Sequence, residues 1–132
     1  NGKIHTLDIN EEYTSVAKKY FNKSEYKENI IQHIGNAMDI IQKLDYKFQL
    51  AFIDADKENY SNYFDLIIEK MDVGGYIIAD NVLWSGKVTE ENKDEETMAL
   101  DNYNKKVFSD KRVETILLPV RDGLNISRKI SN

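Results

Sequence analysis

A charged cluster follows a hydrophobic, strand-like run in the segment FIDADKENY, residues 52–60. Asp54, Asp56 and Lys57 all fall within four consecutive positions of this segment. A strand that enters a hydrophobic core rarely ends in such a cluster unless the charges have a use, because burying an unpaired charge is costly. The cluster is therefore a candidate functional site.

Two further predicted strands also end in oxygen-bearing side chains. Asp8 closes one of them, and Asp80, followed by Asn81, closes the other. Because ligands of open parallel sheets bind beyond the carboxyl ends of the strands, we expect these side chains and Asp54 to gather along one edge. A single acid after a strand more often caps a helix or forms a turn. Three such strand ends favour a site.

The side chains of Asp54, Asp80 and Asn81 offer oxygen ligands, which suit a hard divalent cation. Mg²⁺ is the first candidate, with Ca²⁺ or Mn²⁺ as alternatives. The chain has no cysteine, so a thiolate metal site is excluded. Lys57 lies three residues after Asp54. It could act as a general base there, beside a cation that lowers its pKa. The spacing fits a solvated surface lysine equally well.

Composition limits the class of protein. Hydrophobic residues make up 41% of the 132 residues, which is enough for a core and too many for a disordered chain. The net charge of −5 argues against a general nucleic-acid binder, since phosphate contacts need clustered Lys and Arg. No apolar run is long enough to cross a membrane and no signal peptide is visible, so we expect a cytoplasmic protein.

Strand and helix patterns alternate through most of the chain, and a hairpin closes it. This order predicts an α/β fold with a mostly parallel sheet and helices on both faces. Predicted strands cover residues 3–9, 29–34, 48–53, 76–80, 113–120 and 124–130. Predicted helices run from Asn10 to about Phe21, over 37–44, over 57–71 and to about Phe108, with an acidic loop at 89–96 before the last.

Several local features sharpen these predictions. Asp122 followed by Gly123 is a hairpin signal. The third helix has one apolar stripe, which is expected to face the core and consists of Tyr60, Tyr63, Phe64, Ile67, Ile68 and Met71.

Other features concern single strands and residues. The apolar strand 48–53 is expected to be buried on both faces, and Gly74 and Gly75 are expected to end the third helix. The only proline, Pro119, favours an edge strand or a bulge. His5 and His33 lie inside predicted strands, and we interpret both as structural.

Three segments resemble the cation-dependent O-methyltransferases, the family that includes caffeoyl-CoA and catechol O-methyltransferases and many bacterial relatives. They are FIDADKENYSNYF, GGYIIADNVLWSGKV and LLPVRDGLNISRKI, and the likeness runs from Gly2 to Ile130. The resemblance implies a Rossmann-like class I methyltransferase sheet, mostly parallel with an antiparallel C-terminal hairpin. It also implies S-adenosylmethionine as methyl donor and a phenolic or catechol-like small molecule as acceptor.

The resemblance also implies a set of cofactor-binding positions. Asp8 matches the acid whose carboxylate accepts hydrogen bonds from both ribose hydroxyls of S-adenosylmethionine. Asn36 and Ala37 match the turn that borders the adenine. Asp54 and Asp56 match positions near the cofactor, with Asp56 facing the ammonium group at its methionine end.

The same resemblance implies the catalytic positions. Asp54, Asp80 and Asn81 match the metal ligands, and Lys57 matches the proposed general base. Trp84 matches a residue that lines the acceptor pocket, where a flat indole suits an aromatic ring.

The family's first strand and glycine-rich loop, expected ahead of Gly2, have no counterpart in this chain. We therefore expect residues 1–132 to form a single, partial methyltransferase domain. Family resemblance also leads us to expect a homo-oligomer, a dimer. Without that strand, the strands ending at Asp8 and Ile53 would each have an unpaired edge. Three alternatives follow: the chain is part of a longer protein, another chain supplies the strand, or the two edges pair directly. The first is favoured.

Two other functions remain open at this point. Some bacterial relatives methylate a hydroxylated uridine in tRNA, although the net charge of −5 speaks against an RNA substrate. A non-catalytic, truncated module that binds a partner or a metal would explain the absent glycine loop. A dehydrogenase is disfavoured, because Asp8 would suit an NAD ribose but Lys57 and Trp84 would have no role.

Overall fold

A computed structural model describes residues 2–132 of the chain. The chain separates into two compact units, residues 1–44 and residues 45–132. The prediction of a single domain over the whole length stays a prediction, and each unit is described by itself. Among residues 2–132, every helix is too short or too polar to cross a bilayer.

The first unit is a two-stranded parallel sheet with two helices. The register places Asp8 opposite Ile34, so both strands end at the same edge. Asn10 starts the first helix, because its side-chain Oδ1 accepts hydrogen bonds from the backbone N–H groups of Glu12 and Tyr13 at 2.9 and 3.0 Å. The elements are β1 (Ile4–Asp8), α1 (Glu11–Phe21), β2 (Ile30–Ile34) and α2 (Ala37–Lys43).

The two histidines meet on one face of this sheet. His5 Nδ1 and His33 Nε2 are 3.0 Å apart, and the two ring planes differ by 11°. Burial first, and then the nearby His33 and Lys3, lower the pKa of His5 below its ordinary value. The contact joins β1 to β2, which is the structural role predicted for both residues.

The second unit is a four-stranded mixed sheet in the order β3-β4-β6-β5. β3 runs parallel to β4, and β6 runs antiparallel to both β4 and β5. The parallel pair and the closing hairpin confirm the predicted arrangement, and Pro119 directly follows the edge strand. The elements are β3 (Phe48–Ile53), α3 (Tyr60–Lys70), β4 (Met71–Asp80), α4 (Glu95–Ser109), β5 (Val113–Leu118) and β6 (Leu124–Lys129).

The core of the second unit contains the apolar stripe predicted for α3. Tyr60, Phe64 and Ile68 of this helix have no exposed surface, and neither has Tyr103 of α4. The rings of Tyr60 and Tyr103 pack edge to face with their centroids 5.5 Å apart. This packing fixes the first turn of α3 beside the end of β3.

The third helix ends close to its predicted end at residue 71, but Gly74 and Gly75 do not end it. α3 ends at Lys70 and β4 starts at Met71, so Gly74 and Gly75 lie inside the strand. The buried Lys129 ammonium donates hydrogen bonds to the carbonyl oxygens of Ile68 and Met71 at 2.9 and 3.0 Å. These bonds tie β6 to the junction between α3 and β4.

The expectation that β3 is buried on both faces is wrong. Leu50 and Phe52 are each 61% exposed, and both point to the face that carries Tyr76 and Ile78 in the register. Ile53, at the end of the strand, is 4% exposed. Within its unit, β3 therefore has one covered and one open face. β1 and β3, whose direct pairing was one alternative, lie in separate sheets.

Candidate active site

Lys57 lies at the centre of the candidate site in the second unit. It begins the short 3-10 turn Lys57–Asn59 between β3 and α3 and is 8% exposed. Its Nζ donates hydrogen bonds to Asp54 Oδ1 at 3.3 Å and to Asn81 Oδ1 at 3.2 Å. A solvated surface lysine does not fit this position. Two of the three predicted oxygen ligands thus face one buried cation.

The third partner of the Lys57 ammonium is Tyr60. Its hydroxyl accepts a hydrogen bond from Lys57 Nζ at 2.6 Å and lies 3.0 Å from the main-chain oxygen of Asp80, to which it donates. Burial first, and then the negative charge of Asp54, raise the pKa of Tyr60 above its ordinary value, so the phenol keeps its proton. The sequence analysis placed Tyr60 only in the core. The available signal was a tyrosine three residues after the candidate lysine.

Asp80 contributes to the site in a different way from Asp54 and Asn81. Its Oδ1 accepts a hydrogen bond from the backbone N–H of Asn81 at 2.7 Å. Among residues 2–132, no three carboxylate, histidine or cysteine side chains are placed together to hold a metal ion. The predicted set has two carboxylates and one amide. Its oxygen chemistry fits a hard cation, and Asp54 and Asn81 already converge on a positive charge.

Trp84 lies beside this cluster at the start of a 3-10 segment, Trp84–Thr89. Its ring centroid is 5.7 Å from Lys57 Nζ, and the side chain is half-buried. The indole therefore lies next to the ammonium group of Lys57.

Left-handed backbone conformations gather around the same cluster. Within residues 2–132, the non-glycine residues with positive φ are Asn81, Trp84, Ser85 and Arg121. Backbone strain of this kind costs about 1–3 kcal/mol per residue and is concentrated at functional sites. All four lie in the loop after β4 or in the turn between β5 and β6.

Asp122 holds these two loops together. Its main-chain oxygen accepts from Leu83 N at 2.9 Å, and its Oδ1 accepts from Ser85 N at 2.5 Å. The carbonyl oxygen of Gly123 accepts from Val82 N at 3.2 Å. Sequence analysis recognised Asp122 and Gly123 only as a hairpin signal, because hydrogen bonds between distant loops leave no local pattern.

Asp56 precedes Lys57 in the chain and has hydrogen-bond partners of its own. Its Oδ1 accepts a hydrogen bond from the Tyr63 hydroxyl at 2.6 Å, and its Oδ2 accepts one from the Asn59 amide. Burial alone would raise the pKa of Asp56, but these hydrogen bonds outweigh it and lower the pKa below its ordinary value. Asp56 therefore stays ionised at neutral pH.

Replacing Tyr63 by Phe is expected to reduce the free energy of unfolding by about 0.5–1 kcal/mol at pH 7, since Asp56 is exposed and the bond is partly screened. The pKa of Asp56 is lower in the folded chain than the value of about 3.9 in the unfolded chain. Its ionised form therefore stabilises the fold above about pH 3.9, and this contribution is lost as the pH falls through the pKa of the folded state. The difference from the parent should therefore shrink below about pH 4. Urea unfolding at pH 7 and at pH 3 measures it.

Tyr76→Phe is the matched control for this prediction, because the Tyr76 side chain is 43% exposed and lies on the open face of the sheet. It should leave the stability of the parent unchanged at both pH values. A Tyr63→Phe difference that is the same at pH 3 as at pH 7 would contradict the role given to ionised Asp56.

The cofactor candidates of the first unit also come together at one edge. The backbone N–H of Gly35 donates to the main-chain oxygen of Asp8 at 3.0 Å, which brings the turn at Asn36 and Ala37 next to β1. Asp8 Oδ1 accepts from Asn10 N at 2.8 Å, and Asn36 Oδ1 accepts from Met38 N at 2.8 Å, capping α2. Both side chains thus also have the local bonds expected of turn and cap residues.

Comparison with known proteins places the chain in a family. The family model described as O-methyltransferase matches residues 1–130. The chain belongs to the O-methyltransferase family. It is 36% identical over 143 residues to caffeoyl-CoA O-methyltransferase 1 of Eucalyptus globulus, covering 99% of this chain and 58% of that protein. It is 35% identical over 144 residues to caffeoyl-CoA O-methyltransferase of Mesembryanthemum crystallinum, covering 99% of this chain and 57% of that protein.

Solved structures show the same fold. A methyltransferase of Podospora anserina, solved with bound SAH, superposes with a TM-score of 0.85 at 26% identity and covers 96% of this chain and 60% of that one. The predicted α/β methyltransferase fold and the predicted membership of an enzyme family are therefore confirmed. This O-methyltransferase chain spans about three-fifths or less of the length of the curated relatives it matches.

Proposed function

We propose that this protein is an S-adenosylmethionine-dependent O-methyltransferase that uses a divalent cation and acts on a phenolic or catechol-like small molecule. The observation that carries the proposal is the buried Lys57 ammonium, which faces Asp54 and Asn81 and lies 5.7 Å from the Trp84 ring. These groups combine a proton-transfer residue, oxygen ligands and an aromatic wall at the carboxyl end of parallel strands, where ligands of α/β folds bind. The homodimer stays a prediction.

For the methyl donor, we assign Asp8, Asn36 and Ala37 to the adenosine portion and Asp54 and Asp56 to the methionine portion. S-adenosylmethionine supplies an electrophilic methyl group on a sulfonium. Asp8 is exposed at the strand end, and its carboxylate can accept hydrogen bonds from two adjacent hydroxyls. Ionised Asp56 suits an ammonium partner. The SAH-bound relative from Podospora anserina supports this choice of cofactor.

For the cation, we assign Asp54, Asp80 and Asn81 as ligands, with Mg²⁺ first. A divalent cation in such a site lowers the pKa of an acceptor hydroxyl. Asp54 and Asn81 already direct oxygen atoms at one positively charged group, whereas the Asp80 carboxylate is bonded to Asn81 N. An ionised carboxylate has two oxygens with about four lone-pair sites, so Asp80 can keep this bond and still bind a cation.

Lys57 is assigned the proton transfer. In the structure its Nζ has three hydrogen-bond partners, which matches the three donors of an ammonium. To act as a general base, Nζ must first release one proton, after which its lone pair can accept the hydroxyl proton of the acceptor. The half-buried Trp84 indole offers its face to the ring of the acceptor and holds it in place.

Calorimetric titration with S-adenosylmethionine tests the cofactor assignment. We expect micromolar binding to the chain and a loss of about tenfold or more in Asp8→Asn, because hydrogen bonds to an ionised carboxylate are about twice as strong as neutral ones. Asp39→Asn is the control, since Asp39 is an exposed acid of α2 in the same unit. Absence of binding to the parent would contradict the cofactor assignment and favour the non-catalytic module.

Titration with Mg²⁺ tests the cation assignment separately. We expect saturable binding that Asp80→Ala abolishes, because one of its two negatively charged ligands is removed. Asp72→Ala is the control, since Asp72 lies on the same strand and bonds to Gln49. An unchanged Mg²⁺ isotherm in Asp80→Ala would contradict this ligand set and would leave the cofactor assignment unaffected.

A further inference from the structure

The hydroxyl of Tyr60 lies where three parts of the candidate site meet. It accepts a hydrogen bond from Lys57 Nζ at 2.6 Å, donates to the Asp80 main-chain oxygen at 3.0 Å, and lies 3.5 Å from the main-chain oxygen of Ile53. Ile53 and Asp80 are the last residues of β3 and β4. One phenol therefore links the ends of both strands to the ammonium group.

Packing in the core does not require this hydroxyl. A phenylalanine would fill the same space against Tyr103, whose ring packs edge to face on Tyr60 at 5.5 Å. Tyr103 differs from Tyr60 in its hydroxyl, which is buried and has no hydrogen-bond partner among the described residues. Two tyrosine rings thus share one core, and the hydroxyl of Tyr60 is the one that contacts candidate site residues.

The geometry also restricts where the Lys57 side chain can go. Asp54 is exposed, and its side chain keeps 53% of its surface accessible to solvent, so its bond to Nζ at 3.3 Å is weakened by competing water. The bond to the fully buried Tyr60 hydroxyl is shorter, at 2.6 Å, and is shielded from solvent. Tyr60 is the closest of the three partners, since Asn81 Oδ1 is 3.2 Å from Nζ.

We propose that Tyr60 is a positioning residue that anchors the Lys57 ammonium between Asp54 and Asn81. The hydroxyl contacts no substrate. It acts by holding Nζ at the carboxyl ends of β3 and β4, so that the lysine is in place for the proton transfer assigned to it. The importance of this anchor for catalysis rests on the proposed function, but the anchoring itself can be measured without cofactor, cation or acceptor.

NMR of the Lys57 ammonium group in the chain without ligands tests the proposal. In the parent, the Nζ protons should exchange slowly enough to give a resolved ¹H–¹⁵N signal with cross-relaxation to the Tyr60 ring protons. In Tyr60→Phe, the exchange rate should rise about tenfold or more, as expected for loss of a hydrogen bond to a charged group. Tyr103→Phe is the control and should leave the exchange rate within about twofold of the parent, because no bonded hydroxyl is removed.

Two outcomes would overturn the proposal. One is a Tyr60→Phe variant that is folded but has the parent exchange rate at Lys57. The other needs no variant: a parent Lys57 signal that exchanges as fast as that of exposed Lys105, or that lacks contact with the Tyr60 ring. Because both readouts are taken without ligands, failure of S-adenosylmethionine or Mg²⁺ to bind would contradict the proposed function and leave the anchoring result standing.

Discussion

Lys57→Met is expected to lower kcat for methyl transfer to a catechol by about 10²–10⁴-fold, the range typical for removal of a positioned general base. The buried Nζ is held by Asp54, Tyr60 and Asn81. Met keeps the length of the side chain and removes its proton-accepting nitrogen. Steady-state assays with S-adenosylmethionine, Mg²⁺ and catechol measure the change.

Lys57→Arg separates proton transfer from simple charge. Arg keeps the positive charge that faces Asp54 and Asn81, but it cannot be deprotonated in a protein and so cannot act as a base. We expect Arg to be as inactive as Met. Activity close to the parent in Lys57→Arg would show that Lys57 serves as a counter-ion, and would contradict its role as base. Lys111→Met, an exposed position beyond α4, is the control for loss of a lysine.

Much of the fold follows from local patterns. The period of α3 predicts the burial of Tyr60, Phe64 and Ile68, and the structure has all three in the core. The predictions that failed concern features that depend on residues far away in the sequence. β4 pairs with β3 from Met71 onward, so the helix ends before Gly74, and Lys129 of β6 bonds to carbonyl groups at this junction. The open face of β3 likewise depends on which elements cover it, and an apolar run cannot reveal that.

The candidate site was predictable as a set of residues but not as a geometry. The charge cluster after β3 pointed to Asp54 and Lys57, and the structure brings both to Asn81. The contribution of Tyr60 could not be predicted, because the sequence pattern of an apolar helix stripe is the same whether or not the tyrosine hydroxyl is hydrogen-bonded. The role of Asp122 could not be predicted for a related reason: its side-chain bond to Ser85, in the loop after β4, joins residues 37 positions apart.

The turn between β5 and β6 carries the second large prediction. Gly123 has φ +85°, and a Cβ there would lie 2.5 Å from Cγ of Leu83 and 3.1 Å from its Cβ. Gly123→Ala therefore combines left-handed strain of roughly 1–2 kcal/mol with overpacking of about 1–3 kcal/mol. We expect the free energy of unfolding to fall by about 3 kcal/mol, measured by urea denaturation.

The same substitution should also disturb the candidate site, because Leu83 is the residue before Trp84 and its N–H is bonded to Asp122. The chain has one tryptophan, so tryptophan fluorescence reports on Trp84 alone and should shift in Gly123→Ala.

Gly74→Ala is the matched control: Gly74 has φ +91°, but a Cβ there meets no atom within 4 Å. Its free energy of unfolding should fall by roughly 1–2 kcal/mol from backbone strain alone, and its tryptophan fluorescence should be unchanged. Equal losses of stability and equal spectra in the two variants would show that Leu83 moves aside freely, and that the turn does not hold the loop of Asn81 and Trp84 in place.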